Sequence, residues 1–293
     1  MSKLSKNSKR ILGVAAACLM LAGWSASSQA RDCVVTNWLG GQPGLSDGNA
    51  GKQDTQATSN RRYAGHCGLR VPVDGTPRFV TDNSPAPEDT YIARFYVFLD
   101  NAGSDEIVLF SADDGTDAKV QIVYNAPTSG DLTLEVVDSS NDVNELTFDD
   151  VGAGWHSVEF AWEALESATI AFSLNGSDDL TNTINTSGIA LANANLGNVS
   201  GAGSAGTNSI DFDDFDSRRS SRPGRLCRGL TNLSRSSLDL QDALNIFDEF
   251  ASNGNTPADG QPDYNEDGVV DFDDALLVFS RFASGNEDCA SNL

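Results

Sequence analysis

Residues 263 to 274 read Asp-Tyr-Asn-Glu-Asp-Gly-Val-Val-Asp-Phe-Asp-Asp. Side-chain oxygens fall at the first, third, fifth, ninth and twelfth places, from Asp263, Asn265, Asp267, Asp271 and Asp274. Gly268 stands sixth, where a chain wrapping an ion must turn sharply, and the backbone carbonyl of Val269 fills the seventh place. Ca²⁺ is a hard cation that takes about six to eight oxygens, so short carboxylates on a tight turn suit it. The spacing predicts one calcium loop. The short Asp274 at the twelfth place, where a longer Glu is usual, predicts a structural site filled by extracellular calcium rather than a cytosolic sensor. Other acidic turns, such as Asp113-Asp114-Gly115 and Ser177-Asp178-Asp179, lack this spacing.

The elements that must hold the loop are helical. Leu276, Phe279 and Phe282 recur at helical spacing directly after it. Residues 274–284, Asp-Ala-Leu-Leu-Val-Phe-Ser-Arg-Phe-Ala-Ser, repeat residues 242–252, Asp-Ala-Leu-Asn-Ile-Phe-Asp-Glu-Phe-Ala-Ser. Seven of these eleven positions are identical, and Ile246 stands against Val278 at an eighth. This is an internal duplication. Neither helix can bury its apolar face alone, so the two are expected to pack face to face. The first copy of the loop would run from Thr231 to Asp242, with Thr231, Leu233 and Arg235 where the first, third and fifth donors belong. Only Asp239 and Asp242 remain, so one calcium is expected and not two.

The duplicated unit, with Asp at the twelfth place and an Asp-Ala-Leu start to its helix, resembles a type I dockerin. More loosely, it is similar to the EF-hand pairs at the C-termini of secreted bacterial proteins. The resemblance covers about residues 231–285. It implies a compact two-helix module with Ca²⁺ as its cofactor, held by Asp263, Asn265, Asp267, Val269, Asp271 and Asp274. It also implies docking on a cohesin-like protein. The Ser and Thr residues that meet a cohesin in that family are replaced here by Ala243-Leu244 and Ala275-Leu276. That departure moves the expected role towards capping or anchoring.

The chain begins with Lys3, Lys6, Lys9 and Arg10, followed by an apolar run from Ile11 to Gly23 and a Ser28-Gln29-Ala30 cleavage pattern. This predicts a signal peptide over 1–30, cut near Ala30, and a secreted or periplasmic protein with no membrane span. Removing those residues takes away four positive charges and no acidic ones, so the formal charge moves from −23 to −27. Nucleic acid and anionic membranes are therefore not expected partners. Cys33, Cys67, Cys227 and Cys289 remain, an even number that predicts two disulfides in an exported chain. Three pairings are open; the favoured one joins Cys33 to Cys67 and Cys227 to Cys289, the second clasping the calcium module.

Residues 31–217 read as mainly β. Segments 91–99, 106–110, 118–124, 132–137, 156–162, 169–174 and 209–215 are rich in β-formers and bounded by acidic or Gly/Asn turns. An antiparallel β-sandwich of the jelly-roll type is expected, followed by the small α-helical module. The segments Gly-Trp-His-Ser-Val-Glu-Phe (154–160), Phe-Ser-Leu-Asn-Gly (172–176) and Ile-Asp-Phe-Asp-Asp-Phe-Asp (210–216) resemble the concanavalin A-like superfold of laminin-G domains, lectins and glucanases. Residues 218–230 are expected to form an Arg/Ser-rich solvated linker, 192–208 a long surface loop, and 286–293 a tail carrying Cys289.

Chemistry on the sandwich is sparsely marked. The paired carboxylates of a glycosidase strand, Glu-x-Asp-x-x-Glu, are absent. Asp211, Asp213, Asp214 and Asp216 alternate with phenylalanine and are expected to form an exposed acidic edge, with a bulge or a change of face at the doublet. His156 is expected to be a hydrogen-bonded structural residue, and His66 has no partner legible in the sequence. No catalytic residue is assigned. The expected role is binding: a glycan or surface partner on the sandwich, with the calcium module as cap or anchor. A polysaccharide hydrolase or lyase of the same superfold, and a purely structural exoprotein, are the alternatives.

Overall fold

The computed structural model describes residues 63–64, 68–82, 87–101, 106–125, 130–204, 208–231, 237–253, 264 and 271–284. All of them lie in one compact unit, Asp32–Leu293. The signal peptide, Cys33, His66, Cys67, Arg235, Asp263, Asn265, Asp267, Val269 and Cys289 lie outside the described residues.

Among the described residues, twelve strands form two sheets of six. They are β1 (Leu69–Pro72), β2 (Arg78–Asp82), β3 (Thr90–Asn101), β4 (Glu106–Asp113), β5 (Ala118–Asn125), β6 (Asp131–Val137), β7 (Val143–Phe148), β8 (Trp155–Glu163), β9 (Ala168–Leu174), β10 (Leu180–Ile184), β11 (Asn193–Asn198) and β12 (Ser209–Arg218). The first sheet runs β1-β12-β3-β8-β9-β10 and the second β2-β11-β4-β5-β6-β7. Every pairing is antiparallel. Two helices follow, α1 (Leu240–Asn253) and α2 (Phe272–Ala283).

Period-two alternation decides which side chains meet between the sheets. In β6, Leu132, Leu134 and Val136 are buried while their neighbours are half-buried. Phe95 and Phe160 from the first sheet meet Phe110 from the second, at ring distances of 6.2 and 5.0 Å. Phe148 and Phe172 close the far end at 5.2 Å. The tract 192–208, expected as a surface loop, supplies β11 between β2 and β4. At Gly197 of that strand φ is +147°, and a Cβ would lie 2.3 Å from the Arg78 carbonyl oxygen. Only glycine passes there.

Alternation fails on β3 and β8, because their second face is buried too. Arg94, Tyr96 and Phe98 on β3, and Trp155, Ser157 and Glu159 on β8, are all inaccessible or nearly so. Residues 219–230, expected as a solvated linker, are the cover. Glu159 Oε2 accepts from the Gly224 amide at 2.8 Å, and its Oε1 lies 3.2 Å from Arg222 Nη1. Arg222 also grips Asp179 through two nitrogens at 2.7 Å each. Arg94 donates to the carbonyls of Gly224 and Asp214, and Arg225 to that of Asn175. The Tyr96 hydroxyl accepts from the Leu226 amide at 2.7 Å. This is a strap fixed across the sheet.

Trypsin is expected to cleave the folded chain slowly after Arg218, Arg225 and Arg228. Glu159→Ala removes the acceptor of the Gly224 amide and one of the two carboxylates that hold Arg222, and should speed cleavage there by about tenfold or more. Equal cleavage rates for the two proteins would show that Glu159 does not hold the strap.

Candidate functional site

The C-terminal module is built twice on one plan. In the second copy, the buried Asp274 accepts from the Asp271 amide through Oδ2 at 2.9 Å and from the Tyr264 amide through Oδ1 at 2.6 Å. Asp271 caps α2, its carboxylate accepting from the Asp273 amide at 2.8 Å. In the first copy, the buried Asp242 accepts from the Asp239 amide and from both the amide and hydroxyl of Thr231. Asp239 likewise accepts from Gln241. A carboxylate at the twelfth place thus ties the start of each loop to the start of its helix. Sequence reasoning treats Asp239 and Asp242 as relics of a lost ion site; their bonds give them a structural task.

The all-oxygen set around the second loop fits a hard cation in kind. The 2.6 Å bond from the Tyr264 amide to Asp274 brings the second loop place against the twelfth. Asp271 and Asp274 are thereby brought together, while Asp263, Asn265, Asp267 and Val269 lie outside the described residues. Among the described residues, no cluster of three or more His, Cys, Asp or Glu side chains is placed to hold a metal. Cys227 is disulfide-bonded, and the other cysteines lie outside the described residues.

The helices do pair, but not through the face that spacing predicts. Ala243 and Ile246 of α1 and Ala275 and Val278 of α2 are buried, in one cluster with Tyr63, Tyr96, Phe98, Trp155, Cys227, Leu230 and Tyr264. Tyr63 stacks on Tyr96 at 3.7 Å and meets Trp155 edge-on at 5.9 Å. Gly229, with φ at +84°, lies so close to α2 that a Cβ would sit 2.4 Å from Val278 Cγ2. The larger apolar residues point outward instead. Leu240, Leu244 and Phe247 on α1 and their repeat-mates Phe272, Leu276 and Phe279 on α2 are between 40% and 51% exposed. Phe247 and Phe272 meet edge to face at 5.9 Å, joining the two rows into one stripe.

On the sandwich, the aspartates of β12 are not an exposed edge. Asp211 is buried and paired with Arg70 at 2.6 Å. Asp213 is buried and accepts from the amides of Tyr63, Ala64 and Asp214. Burial, then the neighbouring Asp214, pushes its carboxyl well above the usual range. The doublet does mark a bulge: register shifts between Asp213 and Asp216, and Asp214 has φ of 45°. His156 is structural as expected. Its Nε2 lies 2.8 Å from the Gly152 carbonyl oxygen and its Nδ1 3.1 Å from Asn175 Nδ2, which fits a neutral ring donating through Nε2. Burial lowers its pKa.

No family model and no curated protein matches this chain. Solved structures give faint likenesses only. The botulinum neurotoxin serotype D binding domain is 10% identical, with a TM-score of 0.42, over 52% of this chain and 39% of that one. The type G receptor binding domain is 13% identical, with a TM-score of 0.36, over 53% and 40%. The binding domain of botulinum neurotoxin DC, solved in complex with SialylT, is 12% identical, with a TM-score of 0.40, over 54% and 40%. The match thus spans about two fifths of each of those chains, and no family is assigned from it. No helix among the described residues is long and apolar enough to cross a membrane.

The folded chain holds the His156 proton less tightly than the unfolded chain does. The unfolded state therefore binds more protons at mildly acidic pH, and stability should fall as pH drops through about 6.5. His156→Gln, which keeps a donor for Gly152, should flatten that part of the stability curve. Chemical denaturation at a series of pH values measures it, and an unchanged slope would rule out His156 as the cause.

Proposed function

We propose that this chain is a secreted calcium-binding protein in which a lectin-like β-sandwich binds a glycan or surface partner and a dockerin-like helix pair caps or anchors it. The observation that carries this reading is the outward apolar stripe, matched residue for residue between the two copies of the duplication. Soluble proteins rarely leave such rows open unless something docks on them. Exposed Asp248 and Asp273 flank the stripe, so an apolar groove with a basic rim on a cohesin-like protein is the complementary surface. The bonds that Asp274 makes to the Tyr264 and Asp271 amides support calcium as the ion that stiffens the pair.

Two measurements test the two halves. Calcium titrated into the EDTA-treated mature protein by calorimetry should show one site, lost in Asp263→Ala. Two sites, or a site that survives the substitution, would reject the loop assignment. Mature protein should also fractionate with the cell surface in calcium and be released by EDTA. Leu244→Asp with Leu276→Asp should move it to the medium while leaving the thermal midpoint within a few degrees. Unchanged surface retention would remove the stripe from the anchoring role.

A further inference from the structure

At one end of the sandwich three connections converge on a cleft of about 400 Å³. The β4–β5 turn brings Asp114, the start of β5 brings Lys119, the β6–β7 turn brings Asp138 and Asn141, and the β10–β11 loop brings Ser187 and Ile189. A volume of that size lies within the range of small-ligand sites, about 300–1,000 Å³. None of these residues belongs to the helix pair or the strap.

The cleft is built rather than incidental, because each wall is fixed by its own bonds. Asp114 Oδ1 accepts from the amides of Thr116 and Asp117 at 3.0 and 2.9 Å and from the Thr116 hydroxyl at 2.7 Å. Asp138 Oδ1 accepts from the amides of Ser140 and Asp142 at 2.8 and 2.9 Å. With Oδ1 consumed in both residues, the direction of each Oδ2 is set. The Ser139 amide donates to the Asn185 carbonyl at 2.8 Å, tying the second turn to the third connection. Asn185 Oδ1 in turn accepts from the amide and hydroxyl of Ser187. Lys119 is nine-tenths buried and brings its Nζ to 3.4 Å from Asp114 Oδ2. An ammonium carries three donors, and Asp114 takes one of them.

We infer that this cleft is a binding site for a neutral, polyhydroxylated saccharide. Carboxylate oxygens and the Ser187 Oγ, whose own hydrogen goes to Asn185, accept bonds from sugar hydroxyls, while Lys119 and Asn141 offer donors to the hydroxyl and ring oxygens. Ile189, half-buried and packed against the sandwich core, gives the apolar contact that a sugar's C–H face needs. Turn amides hold Asp114 and Asp138 below the usual carboxylate range, so both remain acceptors in mildly acidic surroundings. Two carboxylates against one ammonium, on a chain of formal charge −23, work against sulfated or sialylated ligands. Because the turns are already locked, little ordering remains to oppose binding.

This inference rests on the glycan-binding half of the proposed function, and one experiment separates the two. The mature, calcium-loaded protein is applied to an array carrying neutral, sulfated and sialylated glycans, and neutral hits are titrated by calorimetry. Asn141→Gly suits the left-handed φ of 64° at that position while removing the amide. It should weaken a neutral ligand by about tenfold. Ser187→Trp should fill the cleft and abolish binding. Thermal midpoints close to wild type show that both variants are folded. Neutral binding that survives both variants would overturn the cleft and leave glycan binding standing. Binding confined to sulfated or sialylated glycans would overturn the ligand class. An array on which nothing binds would overturn the cleft and the glycan reading together.

Discussion

Glu159 lies on the middle of a sheet, nine-tenths buried, where an unpaired carboxylate would be costly. Residues 222–224 remove that cost by meeting both of its oxygens, one with Arg222 and one with the Gly224 amide. Once the strap is fixed there, the rest of the outer face follows. Arg94 finds carbonyls instead of water, Tyr96 finds the Leu226 amide, and Leu230 and Cys227 reach the aromatic group of Tyr63, Tyr96 and Trp155. The helix pair packs against the same cluster. The second core of the protein therefore depends on a few charge-assisted bonds made over polar strand residues, not on apolar matching alone.

The two closing aspartates show how one geometry serves two ends. Asp242 and Asp274 occupy the same place in the two repeats and make the same kind of bonds to the loop start and the helix start. A loop that carries Thr231, Leu233 and Arg235 where the second carries Asp263, Asn265 and Asp267 still needs its ends joined. Thr231 meets that need with a hydroxyl and an amide on one carboxylate oxygen, and Asn245 supports the hydroxyl in turn. Asp242 of the first copy thus closes the chain without an ion.

Much of the sandwich was legible in the sequence. Segments with strong alternation or dense β-formers, such as 91–99 and 156–162, fall within β3 and β8. Five strands escaped, and they are short: β1 ends in Pro72, β2 is Arg-Phe-Val-Thr-Asp, β7 is Val-Asn-Glu-Leu-Thr-Phe, β10 is Leu-Thr-Asn-Thr-Ile, and β11 carries Asn193, Asn195, Gly197 and Asn198. Their strand character comes from neighbours, since each is paired at a sheet edge or inserted between two strands. The strap and the burial of Asp211 and Asp213 escaped for another reason. Arginine-rich, serine-rich sequence carries the same local signal whether water or a buried carboxylate is its partner. The helix pair was legible as a duplication, but its buried face was not: the smaller Ala243, Ile246, Ala275 and Val278 allow close approach, and the bulkier Leu and Phe residues are left outside.

The strap also fixes what can be inherited as a piece. By composition, a join at Arg218 separates a sandwich from a helical module that could be shuffled among other chains. Physically that join cuts through a shared core, because much of the cover for Tyr96, Phe98 and Trp155 is encoded on the far side of it. A recombination event there would leave the sandwich donor with an open aromatic face and the recipient with a helix pair missing half its packing partners. Gly229 sharpens the constraint, since almost any other residue at that point would collide with Val278. The smallest segment that could move between genes with its packing intact spans both halves, so sandwich and helix pair should be gained and lost together over evolutionary time.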